Sequence, residues 1–194
     1  MSIPTEPAAE HRSIAGTFAD RVRGAAPGTW DAEAPVPGWT ARDVVRHLLD
    51  WFPGFLAGGA DVHLPPGPSV DDDPLAAWEH HARAVQELLD DPATPGRRFA
   101  HPMLPEMPLL QAISRFYTND VFMHTWDLAR ATGQDDRLDE DRCRMLYEGM
   151  LPMDDVLRQS GQYGPKVPVP ADADWQTKLL GFIGRTPEVA GARS

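Results

Sequence analysis

The sequence predicts an all-α fold, and three observations carry that expectation. Apolar residues recur at spacings of three and four along most of the chain, strand-like alternation is nearly absent, and helix-start and helix-stop residues fall at the ends of the periodic stretches. The 194 residues, 42% hydrophobic and 24% charged, suit one ordinary globular domain over 1–194.

The elements follow in order. A first helix is expected over roughly residues 8–24, stopping before Ala26-Pro27-Gly28. Pro35-Val36-Pro37-Gly38-Trp39 reads as a loop, and Thr40 with Asp43 three residues on has the form of a capping box. The second helix then carries Val44, His47, Leu48, Trp51 and Phe55 on one face. After the Leu64–Pro68 loop, acid and proline at Asp73-Pro74 open a third helix over about 74–90, burying Leu75, Trp78, Ala82, Val85 and Leu89. Asp91 to Pro108 is rich in proline and reads as a long loop. A fourth helix is expected from about Leu109 to Ala131, stopped at Gly133 by a left-handed cap. A fifth starts near Leu138-Asp139 and meets Pro152, which bends or breaks it. Gly164–Pro170 is extended, and a last short helix spans about 173–184. Helical segments joined by short or proline-rich links predict a bundle.

Charge and composition exclude whole classes of function. Eighteen Lys+Arg against 29 Asp+Glu give a net charge of −11, which repels a phosphate backbone, so no nucleic-acid partner is expected. No apolar run approaches the ~20 residues of a membrane span. The start lacks the basic and apolar regions of a signal peptide, so a cytoplasmic setting is expected. The single cysteine, Cys143, makes no internal disulfide, and its acidic neighbours oppose a thiolate. Gly-x-Ser-x-Gly, Cys-x-x-Cys and a Gly-rich phosphate loop are all missing.

Candidate chemistry shows where polar groups occupy a stripe that the pattern reserves for apolar ones. The inward stripe of the fourth helix runs Ile113, Phe116/Tyr117, Asp120, His124, Asp127/Leu128, and Asp120 and His124 lie four apart on one face. His47 interrupts the second helix in the same way, between Val44 and Trp51. Burying such groups costs several kcal/mol unless something pairs with them. A hydrogen-bonded core histidine and a local Asp–His pair explain each anomaly singly. Taken together, two histidines and a carboxylate are also the three-ligand set of a catalytic-type zinc site with one open position.

The stretches Pro35–Leu48 (PVPGWT…DVVRHL), Asp120–Gly133 (DVFMHTWDLARATG) and Val167–Arg185 resemble the DinB-like superfamily. Within it they are similar to actinobacterial proteins that share the N-terminal domain of mycothiol-dependent maleylpyruvate isomerase. The resemblance spans roughly residues 10 to 187. It implies a four-helix bundle with additional C-terminal helices, carrying a divalent metal at one end on His47, Asp120 and His124. Zn²⁺ is the first choice of metal, with Ni²⁺, Fe²⁺ and Mn²⁺ as alternatives. It also implies a thiol cosubstrate such as mycothiol, used in transfer or isomerisation on a small electrophilic substrate. Position 120 is aspartate where the isomerase has a glutamate and many relatives a histidine. The isomerase has a further C-terminal domain that contributes to catalysis. None is recognised here, so maleylpyruvate isomerisation is not the expected reaction. A non-enzymatic metal- or small-ligand-binding bundle is the competing expectation. Bundles of this kind pair through helix faces, which makes a homodimer the oligomer to test for.

Trp51, Tyr117 and Trp126 are the leading candidates for a pocket above the metal, with Trp39, Phe55 and Met123 behind them; core packing is the other reading for each. Asp127 is expected either to orient a ligand histidine or to make a helix-to-loop hydrogen bond. His80 and His81 point about 100° apart, so only His81 is a candidate fourth ligand. His101 is a weaker pocket candidate, Arg97-Arg98 a candidate anion contact, and His11 and His63 are expected at the surface.

Overall fold

The computed structural model describes residues 3–102 and 104–187. They fall into two compact units, Ile3–Asp136 and the described residues from Arg137 on.

The first unit is a four-helix bundle of α1 (Pro7–Gly24), α2 (Ala41–Ala60), α3 (Pro74–Asp90) and α5 (Asn119–Thr132). Helix α1 packs on α3 and α5, and α2 packs on α5 and α3. Each start has a local cause. The Glu6 carboxylate accepts from the amides of Ala8 and Ala9, the Thr40–Asp43 capping box is complete in both directions, and Asp73 accepts from the Ala76 amide ahead of Pro74. Gly133, in the left-handed region at φ 70°, ends α5 as expected. Phe18, Leu48, Phe52, Leu56, Trp78, Ile113 and Leu128 are fully buried between the helices, each side chain contributing roughly 1.5–3 kcal/mol of hydrophobic stabilisation.

On α3, Trp78, Val85 and Leu89 are buried as expected, but Leu75 and Ala82 are only half-buried, with Ala77, His81 and Ala84 on the inward face instead. Two backbone features also differ from the sequence expectation. The stretch read as a loop holds an antiparallel hairpin, β1 (Arg98–His101) and β2 (Leu104–Pro108), with Phe99 opposite Met107. Prolines 102, 105 and 108 look like loop punctuation, but a two-stranded ribbon is all edge and tolerates them. What anchors it is Phe99, fully buried and stacked on Phe55 at 4.3 Å. Phe99 lies so close to Gly59 that a Cβ there would fall 2.1 Å from its ring. The predicted fourth helix is also not one regular helix. It runs α4 (Leu109–Ala112), a π-helical stretch over Ile113–Thr118, then α5. The wider turn is held from α1, where Glu10 accepts from the Ser114 hydroxyl and the His11 Nδ1 and Thr118 Oγ1 lie 2.9 Å apart.

The second unit contains α6 (Glu140–Met150), α7 (Asp154–Gln159) and α8 (Trp175–Phe182). Pro152 separates α6 from α7 through a 3-10 turn at Leu151–Met153, so the expected break occurs. Gly164–Pro170 is extended, with the Val167 amide donating to the Gly181 carbonyl. Cys143 is buried in α6, and burial together with Glu140, Asp139 and Asp174 pushes its thiol pKa up. Among the described residues no helix is long and apolar enough to cross a membrane.

Candidate metal centre

Three local devices bring the site together, all within the first unit. A turn over Val36–Trp39, with Gly38 at φ 78° and the Trp39 amide donating to the Val36 carbonyl, delivers the Trp39 indole. The capping box fixes where α2 begins and hence where His47 stands, two turns in. The π-helical stretch then re-phases the last bundle helix just before Asp120, and such insertions are frequent at functional sites.

His47, Asp120 and His124 converge. Each offers one ligand atom, and these atoms lie within 4.8 Å of one another, the one such group of three His, Cys, Asp or Glu among the described residues. His47 Nε2 is 3.1 Å from Asp120 Oδ2, and His124 Nε2 is 3.4 Å from Asp120 Oδ1. The Trp51 indole N–H donates to Asp120 Oδ2 at 3.0 Å. Behind the cluster, His124 Nδ1 meets the fully buried Asp127 carboxylate at 2.8 Å, which is the histidine-orienting alternative for Asp127. Trp39 covers the pair of imidazoles, its ring 4.9 Å from that of His47 and stacked 5.7 Å from that of His124.

The chemistry of the donor set can be tested against a cation. With Nδ1–H donating to Asp127, a neutral His124 turns its Nε2 lone pair toward the Asp120 carboxylate. Two electron-rich atoms 3.4 Å apart call for a proton or a metal ion between them. Zinc bonds of about 2.0–2.1 Å in a tetrahedron place ligand atoms roughly 3.3–3.4 Å apart, close to the spacings about Asp120. Burial alone would raise the Asp120 carboxyl; the Trp51 hydrogen bond, together with the positive charge of His124 and His47 when they are protonated, outweighs it and holds the acid below the ordinary carboxylate range, a role that a cation takes over when the imidazoles are neutral. The donor set therefore fits a divalent metal. Beside it opens a pocket of about 430 Å³ whose walls include Trp39, Asp43, Arg46, His47, Asp50 and Trp51.

The Mycothiol maleylpyruvate isomerase N-terminal domain family matches residues 11–129, which contain all three clustered residues. The chain belongs to this family. It is also 28% identical over 184 residues to two uncharacterized proteins of Mycobacterium tuberculosis, from strains CDC 1551 / Oshkosh and H37Rv, covering 93% of this chain and 98% of theirs. No solved structure matches it.

For this family member the remaining sequence candidates divide sharply. Trp51 lines the pocket, but Tyr117 and Trp126 do not. Tyr117 is fully buried and stacked on Phe52 at 3.7 Å, and Trp126 is buried with the Arg130 guanidinium 5.7 Å from its ring. Phe55 belongs to an aromatic stack with Phe99 and Phe116, and Met123 is buried. His81 lies in the bundle interior, outside the cluster, and His101 sits at the end of β1 near Phe99. Arg97 donates to the carbonyls of Ala60 and Asp61, and Arg98 pairs with Glu106, so the anion-contact candidates make structural contacts. His63 is exposed, as expected. His11 is not: it is completely buried, correcting the surface expectation, because it begins the stripe His11, Ile14/Ala15, Phe18, Val22. That spacing was the signal available for it. Asp43, Arg46 and Asp50, which line the pocket, were not singled out as site residues, because charges along a helix read as a solvated face.

Proposed function

We propose that the chain is a divalent-metal enzyme of the thiol-transferase or isomerase type, which uses a mycothiol-type thiol on a small electrophile in the cytoplasm. The observation that carries this reading is the convergence of His47, Asp120 and His124 beside an open pocket. Two imidazoles and a carboxylate are the donor set of catalytic zinc, with a fourth position left for a ligand. Nickel, iron or manganese accept the same nitrogen and oxygen donors. Bound there, the ion supplies Lewis acidity that brings the pKa of a thiol or a water toward neutrality.

The protein's own residues do the positioning. Asp127 holds the His124 ring so that Nε2 faces the centre, and the Trp51 N–H pins one oxygen of Asp120. Trp39 shields one side of the imidazole pair from water, leaving approach from the side of Asp43, Arg46 and Asp50. A non-enzymatic binding bundle would be served by a closed, filled bundle end; the open pocket favours catalysis.

The test is turnover of an epoxide, an activated halide and an α,β-unsaturated carbonyl by zinc-loaded protein with mycothiol. Thiol-dependent turnover that disappears in His124→Ala is the expected result. Metal uptake without turnover on any of the three would favour the binding bundle.

A further inference from the structure

The π-helical stretch Ile113–Thr118 is held by side chains at both of its ends, and its extra residue decides where Asp120 points. In an uninterrupted α-helix Asp120, seven residues after Ile113, would stand within about 20° of it around the axis. Ile113 is fully buried, so Asp120 would follow it into the bundle interior. One extra residue in the turn shifts everything after it by about 100°, and Asp120 and His124 meet His47 of α2 instead. The wider turn gives up the regular pairing of the backbone. The Asn119 amide donates to the Ser114 carbonyl, five residues back, and the Arg115 carbonyl accepts from the Asn119 side chain at 3.0 Å. Two neighbouring residues of α1 clamp the same stretch. The Ser114 hydroxyl donates to the buried Glu10 carboxylate, and Thr118 Oγ1 lies 2.9 Å from His11 Nδ1, both residues fully buried. Burying a carboxylate and an imidazole is costly unless they are hydrogen-bonded, and both find their partner on the one turn that aims the ligand pair.

Resting on the metal reading above, we propose that Glu10, His11, Ser114, Thr118 and Asn119 are positioning residues of the metal centre. The clasp they form holds the π turn, and the π turn directs Asp120 and His124 at His47. None of the five belongs to the three-residue cluster, so they act through the backbone of the last bundle helix. Without the clasp the turn tightens to α geometry in part of the population, and in those molecules Asp120 is turned away from His47. The apparent affinity for a metal ion then falls with the fraction of molecules in which the three donors are assembled.

Ser114→Ala and Thr118→Val, alone and together, delete the two hydroxyls with little change of shape, whereas Thr118→Ser keeps the hydroxyl. Phe18→Leu, on α1 against Trp78, loosens the same helix without touching the clasp. Three quantities are read for each: the thermal midpoint of the metal-free protein, zinc affinity by chelator competition, and the d–d absorption of the cobalt-substituted protein. The double variant should bind zinc about tenfold or more weakly, with a cobalt spectrum that departs from wild type. Thr118→Ser should keep both properties, and Phe18→Leu should lower the midpoint while leaving both unchanged. A double variant with a lowered midpoint but wild-type zinc affinity and cobalt spectrum would make the clasp a stabiliser of the fold alone and overturn the positioning role. Equal losses in Thr118→Val and Thr118→Ser would overturn the part assigned to the Thr118 hydroxyl. If wild-type protein takes up neither zinc nor cobalt, the metal reading fails and this inference fails with it.

Discussion

Two groups of histidines sit within the same bundle and have opposite characters. His47 and His124 share a carboxylate, Asp120, and lie under Trp39, and His47 borders an open pocket. His11 and His81 face the bundle interior against Tyr117, with ring centres 5.6 and 5.7 Å from it, and among the described residues no carboxylate hydrogen-bonds their Nε2 atoms. His11 Nε2, His81 Nε2, the Tyr117 hydroxyl and the Trp78 N–H are all buried without a hydrogen-bond partner among the described residues. Burial, with His81 and Arg12 nearby, lowers the pKa of His11 to about 3; burial and His80 lower that of His81 to about 4. Burial and the proximity of Asp120 raise that of Tyr117. The imidazole is common to both groups, so it is the carboxylate and the opening that make one of them a candidate ligand set. The interior group contributes packing and remains neutral.

The contrast has consequences of graded size. Asp120→Ala or His124→Ala removes one donor from the cluster and should weaken zinc binding by roughly 10³-fold, a share of the ~10–16 kcal/mol typical of protein zinc sites; competition against a chromophoric chelator measures it. His81→Phe should leave zinc affinity unchanged in the same assay.

Acid should act on the interior group. Its histidines have folded pKa values below the ordinary 6.5, so the unfolded chain takes up protons that the native state refuses. Their contribution is fully present above about pH 6.5 and is lost as pH falls from there toward 4 and 3, on the order of a few kcal/mol for each histidine. Urea midpoints at pH 7.5, 5.5 and 4.5 should fall steadily, and His81→Phe should flatten that slope. An equally steep slope in the variant would remove His81 from the explanation.

Asp127→Asn tests the support behind the cluster. It keeps the shape but weakens the hold on His124 Nδ1, and should cost about 10–100-fold in zinc affinity with little change in the thermal midpoint of the metal-free protein. The smallest effect expected is that of Trp51→Phe, which deletes a single N–H donor to Asp120. A net hydrogen bond to a charged group is worth about 1.5–3 kcal/mol at most, and less at this partly exposed position, so a loss of several-fold is expected.

Much of this contrast was legible in the sequence. His47, Asp120 and His124 stood out because each breaks an apolar stripe. That breach is a direct energetic anomaly, and the four bundle helices needed only helical periodicity to be read. His11 was hidden because Glu10 and Arg12 beside it make the helix start look solvated, although its own spacing to Ile14 and Phe18 is that of a core residue. The π-helical stretch left no mark in the sequence: one wider turn shifts the phase of every residue around it. Tyr117 could therefore be read as facing the pocket when it packs inside on Phe52. The hairpin at 98–108 was masked by prolines whose missing amides do no harm in a two-stranded ribbon. The walls of the pocket were the least legible, because acidic residues on a helix look the same whether they face bulk water or a binding site.

The most direct measurement is zinc content and affinity, determined by elemental analysis and calorimetric titration, for wild type, His47→Ala, His124→Ala and His81→Phe. One zinc per chain in wild type and in His81→Phe, with none held by the two alanine variants, is the predicted result. A wild type that takes up no divalent metal, or alanine variants that bind it as tightly as wild type, would contradict the assignment of His47, Asp120 and His124 and leave them a hydrogen-bonded cluster.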